Sequence, residues 1–579
     1  MSDRASNGTS GIRKRLQDHW GKFEYNKSRK IENASDGLVT GADGNAPEVI
    51  DLTSDREVDD GTDTSETDIS GGDSSGGTTN SPSTVAENMV DQGSSGEEVT
   101  FPFRLIKSEI YDKTTTSEHF ITLEQIFGHP DLSQSWLFSF QYELDYILPM
   151  FHEETRITIV AQKGTILPVT QFTPQVSTLL KRMKTLLVYM PPYACHHSKM
   201  IVNQYKNGDC QIFIPSNNFT SAETNIPQQI VWCGPRLKPI LGKPQSSLFG
   251  SSLLTYLKGY RLDLTTLISA LEELDFKQLD DSGTDFVFAH PEVATSGLAL
   301  LNDRLQNQHH AHKRENYMHH YLCQVSTIGS PVKAGLRTPG NLFTHLMIPL
   351  FSGLLDPKTN SKTHTGRKIY ELPDLKERLD ANKIKTYIIY PTDQEIRKCP
   401  MGYMAGGWFH HHWMRNETTK KLYMTLKNWS VFYKLQPAAG SLRGSTPSHT
   451  KFYMKSTTSS LNSVPFEEVD WLLFTTGNLS FNAWGSPSSK PRNYEVGVLL
   501  TPRGGTKITV SSAEELVYGK FNGLGTVLGG LQLRNIKKVC VMVPFNISPA
   551  PYSYSDDSFC ISSTYKELDT HGHSHQPQD

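Results

Sequence analysis

Residues 195–202 read CHHSKMIV and residues 211–217 read QIFIPSN, so a His-x-Lys stretch is followed by a strand-like run that ends in Asn. The same order recurs where residues 448–454 read SHTKFYM and residues 471–478 read WLLFTTGN. Residues two apart on a strand point to the same face, and an antiparallel return strand can bring Asn back to that face. The two stretches therefore predict two similar α/β halves around a shared central site.

The rest of the chain divides into a polar leader and an apolar body. The first 98 residues have almost no apolar periodicity, and we predict that residues 1–98 form a disordered acidic leader with a basic start. Further on, residues 136–140 and 157–161 are strand-like, whereas 173–185 and 252–274 are helix-like, an alternation typical of α/β proteins. We expect an N-terminal catalytic half at 99–345 and a C-terminal catalytic half at 346–579 that ends in a short flexible tail.

Charge and cysteine usage narrow the class of protein. The net charge of −3 divides into −11 for the first 98 residues and +8 for the remainder. A basic body suits a polyanionic ligand, although solvated surface Lys and Arg account for it equally well. The seven cysteines include no C-x-x-C pair, so we expect reduced, mostly buried thiols. The sequence offers no long apolar run and no secretory signal, which predicts an intracellular protein without a membrane span.

Other short motifs do not support further chemistry. Residues 72–76 fit G-x-S-x-G but lie in the leader, where no strand-turn-helix surrounds them. His410, His411 and His412 are consecutive, and consecutive residues do not converge on one ion. No phosphate-binding G-x-x-x-x-G-K-[ST] loop occurs. We therefore expect no cofactor and no catalytic metal.

The residue types of the two stretches suit a reaction at a phosphodiester. Lys199 and Lys451 can neutralise the nonbridging oxygens, and Asn217 and Asn478 can donate amide hydrogens to the same oxygens. One imidazole can attack phosphorus while the other protonates the departing oxygen. These residue types alone leave open which histidine does which.

The duplicated His-x-Lys pattern resembles the phospholipase D superfamily, whose motif continues to an Asp where this chain has Asn. That departure, together with GYMAGG at 402–407, NLSFNAWG at 478–485 and YEVGVL at 494–499, resembles the tyrosyl-DNA phosphodiesterase family over about residues 105–570. The resemblance implies two phospholipase D-like halves in a DNA repair enzyme. It also implies hydrolysis of the 3′-phosphotyrosyl bond between DNA and a topoisomerase I peptide, or of other 3′ adducts, which leaves a 3′-phosphate.

The same resemblance implies roles for individual residues. His197 is the nucleophile that forms a phosphohistidine, and His449 is the acid that later activates water. Glu495 orients a catalytic histidine, and the alternative is that Glu495 is a charged residue that faces solvent. Gln229 matches a position in the pocket of the family. The positions that match DNA contacts of the family are Tyr193, Ser326, Thr327 and Asn482, and core packing is the alternative for Tyr193.

The leader contains two short signals. Val49, Ile50, Asp51 and Leu52 resemble a SUMO-interacting motif, which adds as a strand to a partner sheet, and a chance apolar cluster is the alternative. Basic groups at 14–15 and 27–30 resemble a two-part nuclear localisation signal, so we expect the nucleus.

Two other functions stay open at this point. One is a phospholipase D-like lipid or general nucleic-acid phosphodiesterase, which the Asn replacements disfavour. The other is a catalytically idle SUMO-binding scaffold, which the intact His, Lys and Asn pairs disfavour. The preferred hypothesis is a monomeric, metal-independent phosphodiesterase that binds DNA and not a membrane.

Overall fold

The computed structural model describes residues 99–577 apart from 243–245, 307–316, 334–338, 356–373, 436–442, 460–463, 504–505 and 519–537. The predicted leader, its SUMO-type segment at 49–52 and its basic groups lie outside the described residues.

Short apolar runs bounded by turn residues form strands throughout the chain. In chain order the strands are β1 (Val99–Thr100), β2 (Phe103–Ile106), β3 (Phe120–Ile121), β4 (Leu132–Ser139), β5 (Tyr142–Glu143), β6 (Arg156–Gln162), β7 (Ile166–Leu167), β8 (Lys184–Val188), β9 (Met200–Tyr205), β10 (Cys210–Pro215), β11 (Ile230–Cys233), β12 (Thr284–Ala289), β13 (Met318–Gln324), β14 (Thr327–Ile328), β15 (Ile384–Ile389), β16 (His410–His411), β17 (Phe432–Tyr433), β18 (Phe452–Thr458), β19 (Glu468–Val469), β20 (Trp471–Thr475), β21 (Glu495–Leu500), β22 (Lys507–Ser512) and β23 (Lys538–Val543). The strands predicted at 136–140 and 157–161 correspond to β4 and β6.

Helices connect and cover these strands. They are α1 (Leu123–Phe127), α2 (Leu144–Ile147), α3 (Pro174–Arg182), α4 (Ser221–Asn225), α5 (Leu248–Gly259), α6 (Thr265–Glu272), α7 (Lys277–Asp281), α8 (Leu298–Leu305), α9 (Ile348–Phe351), α10 (Leu375–Ala381), α11 (Asp393–Lys398), α12 (Glu417–Asn428) and α13 (Phe481–Trp484). Single 3₁₀ turns occur at Leu148–Met150 and Gly402–Gly406, and π turns at Phe343–Met347 and Glu514–Tyr518. No described helix is long and apolar enough to cross a membrane.

The helix predicted at 252–274 is in fact two helices. α5 ends at Gly259, Tyr260 is extended with φ −68° and ψ 138°, and α6 begins at Thr265. The buried Tyr260 side chain turns inward, where its hydroxyl lies 2.8 Å from His196 Nε2. The apolar spacing continues across this break, so periodicity alone does not reveal it. The helix predicted at 173–185 is confirmed as α3, which gives way to β8 at Lys184.

Two large sheets repeat one topology. Their strand orders are β3-β2-β11-β10-β9-β4-β6-β8 and β12-β21-β20-β18-β13-β15-β17. In each sheet the strand after the His-x-Lys stretch, β9 or β18, lies between two antiparallel neighbours. On one side two further parallel strands follow, β6 and β8 or β15 and β17. The predicted pair of similar α/β halves is thereby confirmed.

The boundary between the halves does not coincide with the predicted division at residue 345. β12 and β13 belong to the second sheet, so the change of sheet falls between Cys233 and Thr284. We call residues 103–233 the first half and residues 284–577 the second half. β1 joins neither large sheet, because it pairs with β23 in a separate sheet ordered β1-β23-β22-β19.

A continuous apolar core joins the two sheets. The ring of Phe103 from the first sheet meets Phe474 from the second edge to face at 5.5 Å. Between the sheets, Phe249 of α5 packs on Trp232 at 6.0 Å and on Phe286 at 5.6 Å. Burial of large aromatic side chains is a major source of stability, so these contacts hold the two sheets together.

Candidate active site

Each His-x-Lys stretch lies in the extended residues just before a central strand. His197 and Lys199 precede β9, and His449 and Lys451 precede β18. Both lysines are fully buried, and the two histidines are 7% and 5% exposed, so the four side chains line a nearly closed site.

Each half holds the His-x-Lys stretch of the other through backbone hydrogen bonds. His197 N–H donates to Tyr494 O at 3.0 Å, and Tyr494 N–H donates back to Cys195 O at 3.1 Å. In the mirror arrangement, His449 N–H donates to Gln228 O at 3.1 Å, and Gln228 N–H donates to Pro447 O at 2.8 Å. The site therefore exists only where the halves meet.

Each histidine faces a carboxylate from the opposite half. Glu495 Oε2 lies 2.9 Å from His197 Nδ1 and also accepts from Thr476 Oγ1 at 2.7 Å. Glu223 Oε2 lies 3.5 Å from His449 Nδ1. The hydrogen bond with Glu495 places the proton of His197 on Nδ1 and leaves its Nε2 lone pair free to react. His449 Nδ1 makes no hydrogen bond to the described residues and meets Glu223 only as this 3.5 Å ion-pair contact. The structure thus brings Glu495 to the position predicted for it, and adds Glu223, which the sequence reasoning missed.

Burial sets the protonation of the imidazoles and of Glu495. It lowers the pKa of His197 below the usual value, although Glu495 opposes the shift. It lowers the pKa of His449 well below the usual value, and Lys451 and Lys199 add to the effect. Burial alone would raise the pKa of Glu495, yet the net shift is downward because His197, Thr476 and Lys199 stabilise the ionised form. The resting site therefore contains neutral imidazoles beside an ionised Glu495.

The two lysines lie on the face that carries the histidines. Lys199 Nζ donates to His197 O at 3.0 Å, and Lys451 Nζ donates to His449 O at 2.7 Å. Burial lowers the pKa of both lysines, and for Lys451 the neighbouring Lys199 lowers it further. Two lysines that repel each other in a buried site favour the entry of an anion, because a phosphodiester relieves their repulsion.

The pseudo-symmetry identifies the residue that corresponds to Asn478 in the first half. Asn478 Oδ1 accepts from Ser326 N at 3.2 Å, Ser326 Oγ at 3.1 Å and Thr327 N at 3.0 Å, just beyond β13. In the first half it is Asn218 Oδ1 that accepts from Ser139 Oγ at 3.0 Å and Phe140 N at 3.3 Å, at the end of β4.

Asn217, the residue predicted from the sequence, lies one position earlier. Its Nδ2 donates to Asn218 O at 2.9 Å and to Thr224 Oγ1 at 3.0 Å. A signal for Asn218 was present in the sequence, because Asn218 and Asn478 both stand two residues before a helix N-cap, Thr220 and Ser480.

Gln229 occupies the place in the first half that Glu495 occupies in the second. Both follow the residue whose carbonyl holds a catalytic histidine, and both accept a hydroxyl, Ser216 Oγ at 2.5 Å for Gln229 and Thr476 Oγ1 for Glu495. Gln229 Nε2 donates to Glu223 O at 3.0 Å, so it holds the helix residue that supplies the carboxylate.

The predicted DNA-contact residues lie around the site. Ser326 and Thr327 bind Asn478 as described, and Asn482 Nδ2 donates to Tyr193 O at 2.9 Å. Tyr193 is half-buried and has φ 62°, in the left-handed region that non-glycine residues rarely adopt. The structure therefore places all four residues close to the two repeated stretches, which begin at Cys195 and at Ser448.

Metal-type clusters and disulfides are absent from the described part of the chain. None of its His, Cys, Asp and Glu side chains form a group of three that could hold a metal ion. All seven cysteines fall within this part, are unpaired, and are buried except for the half-buried Cys233, as predicted.

A fold duplicated around two His-x-Lys half-sites, in which each histidine faces a carboxylate from the opposite half, defines a phosphodiesterase of the phospholipase D-like class. The profile of the family described as tyrosyl-DNA phosphodiesterase matches residues 103–553. The Saccharomyces cerevisiae protein "Tyrosyl-DNA phosphodiesterase 1" is 40% identical over 480 residues, which cover 79% of this chain and 84% of the yeast protein. A Schizosaccharomyces pombe protein, "Probable tyrosyl-DNA phosphodiesterase", is 24% identical over 438 residues, which cover 66% and 79% of the two chains.

Solved structures agree with these sequence matches. A crystal structure of the yeast tyrosyl-DNA phosphodiesterase superposes with a TM-score of 0.66 at 40% identity and covers 79% of this chain and 99% of the yeast chain. The chain belongs to the tyrosyl-DNA phosphodiesterase family, and it is a DNA repair phosphodiesterase.

Proposed function

We propose that this enzyme hydrolyses the 3′-phosphotyrosyl bond between DNA and a topoisomerase I peptide through a covalent intermediate on His197, and leaves a 3′-phosphate. The observation that carries the proposal is the His197–Glu495 pair, whose 2.9 Å contact at Nδ1 leaves Nε2 free as the nucleophile. The yeast relative with 40% identity supports the substrate class through its name.

The first step forms a bond from His197 Nε2 to phosphorus and breaks the bond to the tyrosyl oxygen. Lys199 and Lys451 neutralise the two nonbridging oxygens, with amide donors from Asn478 and from Asn217 or its neighbour Asn218. His449 is neutral before substrate binds, and the entry of the phosphodiester anion beside it favours its protonated form. It then gives this proton to the departing phenolate, which needs only modest help because a phenol has a pKa of about 10.

The second step returns His197 to its starting form. His449 is now neutral and lies beside Glu223, and it takes a proton from a water molecule. The water oxygen attacks phosphorus, and the bond from phosphorus to His197 Nε2 breaks. Water is a far weaker acid than phenol, so this step depends on His449 more strongly than the first. No step in this scheme requires a metal ion.

We further propose roles for the residues around the site and for the leader. Gln229 positions the helix residue Glu223, and Tyr193, Ser326, Thr327 and Asn482 contact DNA. The enzyme acts as a monomer in the nucleus, other 3′ adducts are substrates, and the segment at 49–52 binds SUMO. The two halves form one catalytic unit behind the leader at 1–98.

A gel assay with a 5′-labelled oligonucleotide that carries a 3′-phosphotyrosyl group tests the core of the proposal. The parent enzyme should release the 3′-phosphate with chelator present, and should leave phosphatidylcholine intact under the same conditions. His197→Ala should be inactive, and His449→Asn should accumulate a slow-migrating, acid-labile protein–DNA band. Full activity of His197→Ala, or no such band with His449→Asn, contradicts the assignment of the two histidines.

A further inference from the structure

A continuous line of hydrogen bonds joins the segment before His197 to the second half. Arg492 Nη2 donates to Pro192 O at 2.9 Å, Asn482 Nδ2 donates to Tyr193 O, and Tyr494 exchanges backbone hydrogen bonds with Cys195 and His197. We call this contact between residues 192–197 and residues 482 and 492–495 the catalytic seam. It fixes the path of the chain into His197.

Asn493 lies inside the seam and also touches the catalytic carboxylate. Its Oδ1 accepts from Cys195 N–H at 3.0 Å, and its Nδ2 donates to Glu495 Oε1 at 3.2 Å. His197 and Thr476 bind the other carboxylate oxygen, Oε2, so the amide of Asn493 acts on the opposite edge of Glu495.

We propose that Asn493 is a positioning residue for this enzyme's reaction, and that its amide sets the nucleophile by holding Glu495 and the backbone that enters His197 at the same time. The proposal rests on the proposed function, in which His197 Nε2 attacks phosphorus. A side chain must both donate and accept to fill this role, which an amide does and a carboxylate or a methyl group does not.

Removal of the amide has two separate consequences. Glu495 loses a donor to its ionised form and can rotate, so His197 is less accurately aimed, and a small misalignment of a nucleophile lowers the rate strongly. The loss of a hydrogen bond to the ionised carboxylate also raises the pKa of Glu495. The substitution does not remove Lys199 or Lys451, the lysines whose charges act on the His197–Glu495 pair.

Steady-state kinetics of Asn493→Ala on the 3′-phosphotyrosyl oligonucleotide test this inference. We expect kcat to fall about 10-fold or more while KM stays within about two-fold of the parent value. The reason is that the Asn493 amide contacts Glu495 and the Cys195 backbone, which position His197, and does not contact the DNA. The acid limb of the kcat/KM profile belongs to the coupled His197–Glu495 pair. It should move to higher pH by about half a unit to one unit in the variant, because a higher pKa of Glu495 lets the pair take up a proton earlier as pH falls.

Asn203→Ala is the matched control, because Asn203, like the half-buried Asn493, uses both its amide oxygen and its amide nitrogen in hydrogen bonds. Its Nδ2 donates to Ile126 O of α1 at 2.8 Å and its Oδ1 accepts from Ser135 Oγ of β4 at 2.7 Å, within the first half. This variant should lose stability without a change in kcat or in the pH profile. Equal kinetic changes in the two variants would show a merely structural role for Asn493.

A second variant covers the case in which Asn493→Ala does not fold. Asn493→Asp keeps the acceptor for Cys195 N–H and replaces the donor with a carboxylate that repels Glu495. It should fold, with a circular dichroism spectrum like that of the parent, and lose at least as much kcat at neutral pH as the alanine variant. Parent-like kcat in both variants, beside an inactive His197→Ala, overturns this inference alone, whereas an active His197→Ala overturns the proposed function itself.

Discussion

At the scale of single residues, the two half-sites are alike in their cations and unlike in their carboxylates. Glu495 is the first residue of β21, and its counterpart Gln229 is neutral, so the carboxylate for His449 comes instead from Glu223 in α4. A comparison of the two sequence repeats therefore reveals His197, Lys199 and their partners, but it does not reveal Glu223. In the sequence Glu223 is one charged residue among many, and only the fold places it opposite His449 of the other half.

The pseudo-symmetry predicts different effects for the adjacent asparagines. Asn218→Ala removes the acceptor for Ser139 and Phe140 and a donor to Glu223. In the proposed mechanism it also removes the second amide hydrogen, which is donated to the phosphodiester, so we expect kcat to fall about 100-fold, as for loss of one donor to a reacting oxyanion. Asn217→Ala removes a donor to Thr224 and to a backbone carbonyl, so its effect should be several-fold smaller. Kinetics of both variants on the phosphotyrosyl oligonucleotide check this, and a larger loss in Asn217→Ala would return the role to Asn217.

The lowered pKa values predict how the pH profile depends on the leaving group. The acid form of His449 exists below its pKa, which burial and Lys451 hold well below the usual value, so that form is lost early as pH rises. An alkoxide needs the acid, whereas a phenolate needs little help.

We therefore expect the ratio of kcat/KM for a 3′-phosphotyrosyl end over a 3′-alkyl phosphodiester end to increase as pH rises from about 5 to 8. The acid limb for the phosphotyrosyl substrate should lie below the usual histidine value, because burial lowers the pKa of His197 and the neutral form attacks. A ratio that stays constant with pH argues against His449 as the acid.

At the scale of elements, short helices deliver the polar residues that follow each return strand. Ser480 is the N-cap of α13, and its side chain accepts from Ala483 N–H at 3.2 Å, which fixes the turn between Asn478 and Asn482. The sequence motif locates this turn, since Ser and Thr are favoured at N-caps. It does not locate the break between α5 and α6, which depends on the contact of Tyr260 with His196 across the core.

Loss of this cap should affect stability and activity together. Ser480→Ala should lower the free energy of unfolding by about 1 kcal/mol and should reduce kcat/KM, because Asn478 and Asn482 flank the cap. Ser247→Ala is the control, since Ser247 caps α5 by accepting from Gly250 N–H at 3.0 Å. The control should lose similar stability in urea unfolding and keep its activity. Equal activity losses in the two variants would show that the cap of α13 has no specific role in catalysis.

At the scale of the whole molecule, the order of strands could be anticipated and the way in which the halves interlock could not. Two repeated stretches 252 residues apart predict duplicated sheets. The local sequence does not indicate that β12 and β13 join the second sheet or that β1 pairs with β23. Such pairings depend on contacts between residues far apart in sequence. The contacts of Glu495 with His197 and of Glu223 with His449 across the interface also join residues far apart in sequence.

The buried Arg443 fastens the loop that carries His449 to the first half. Its side chain is 1% exposed, its Nε lies 3.6 Å from Asp112 Oδ2, and its Nη2 donates to Ile106 O at 3.2 Å. Its carbonyl accepts from Thr446 N–H at 3.0 Å, and Thr446 O in turn accepts from Gln228 Nε2 at 3.0 Å. The anchor is therefore continuous with the backbone contact that holds His449.

Replacement of this anchor should weaken the whole molecule and not one half. Arg443→Met leaves the Asp112 carboxylate buried without its cation, and we expect the free energy of unfolding to fall by about 3–5 kcal/mol. Lys507→Met removes the exposed pair with Glu468 at 2.9 Å, and should cost no more than about 1 kcal/mol. Urea unfolding followed by tryptophan fluorescence and by circular dichroism measures both values. Because the core and the catalytic seam run through both halves, the two probes should report one coincident transition in the parent. Two separate transitions in the parent, or an Arg443→Met loss no larger than that of Lys507→Met, would mean that the halves are stable independently and that the shared site is assembled by docking alone.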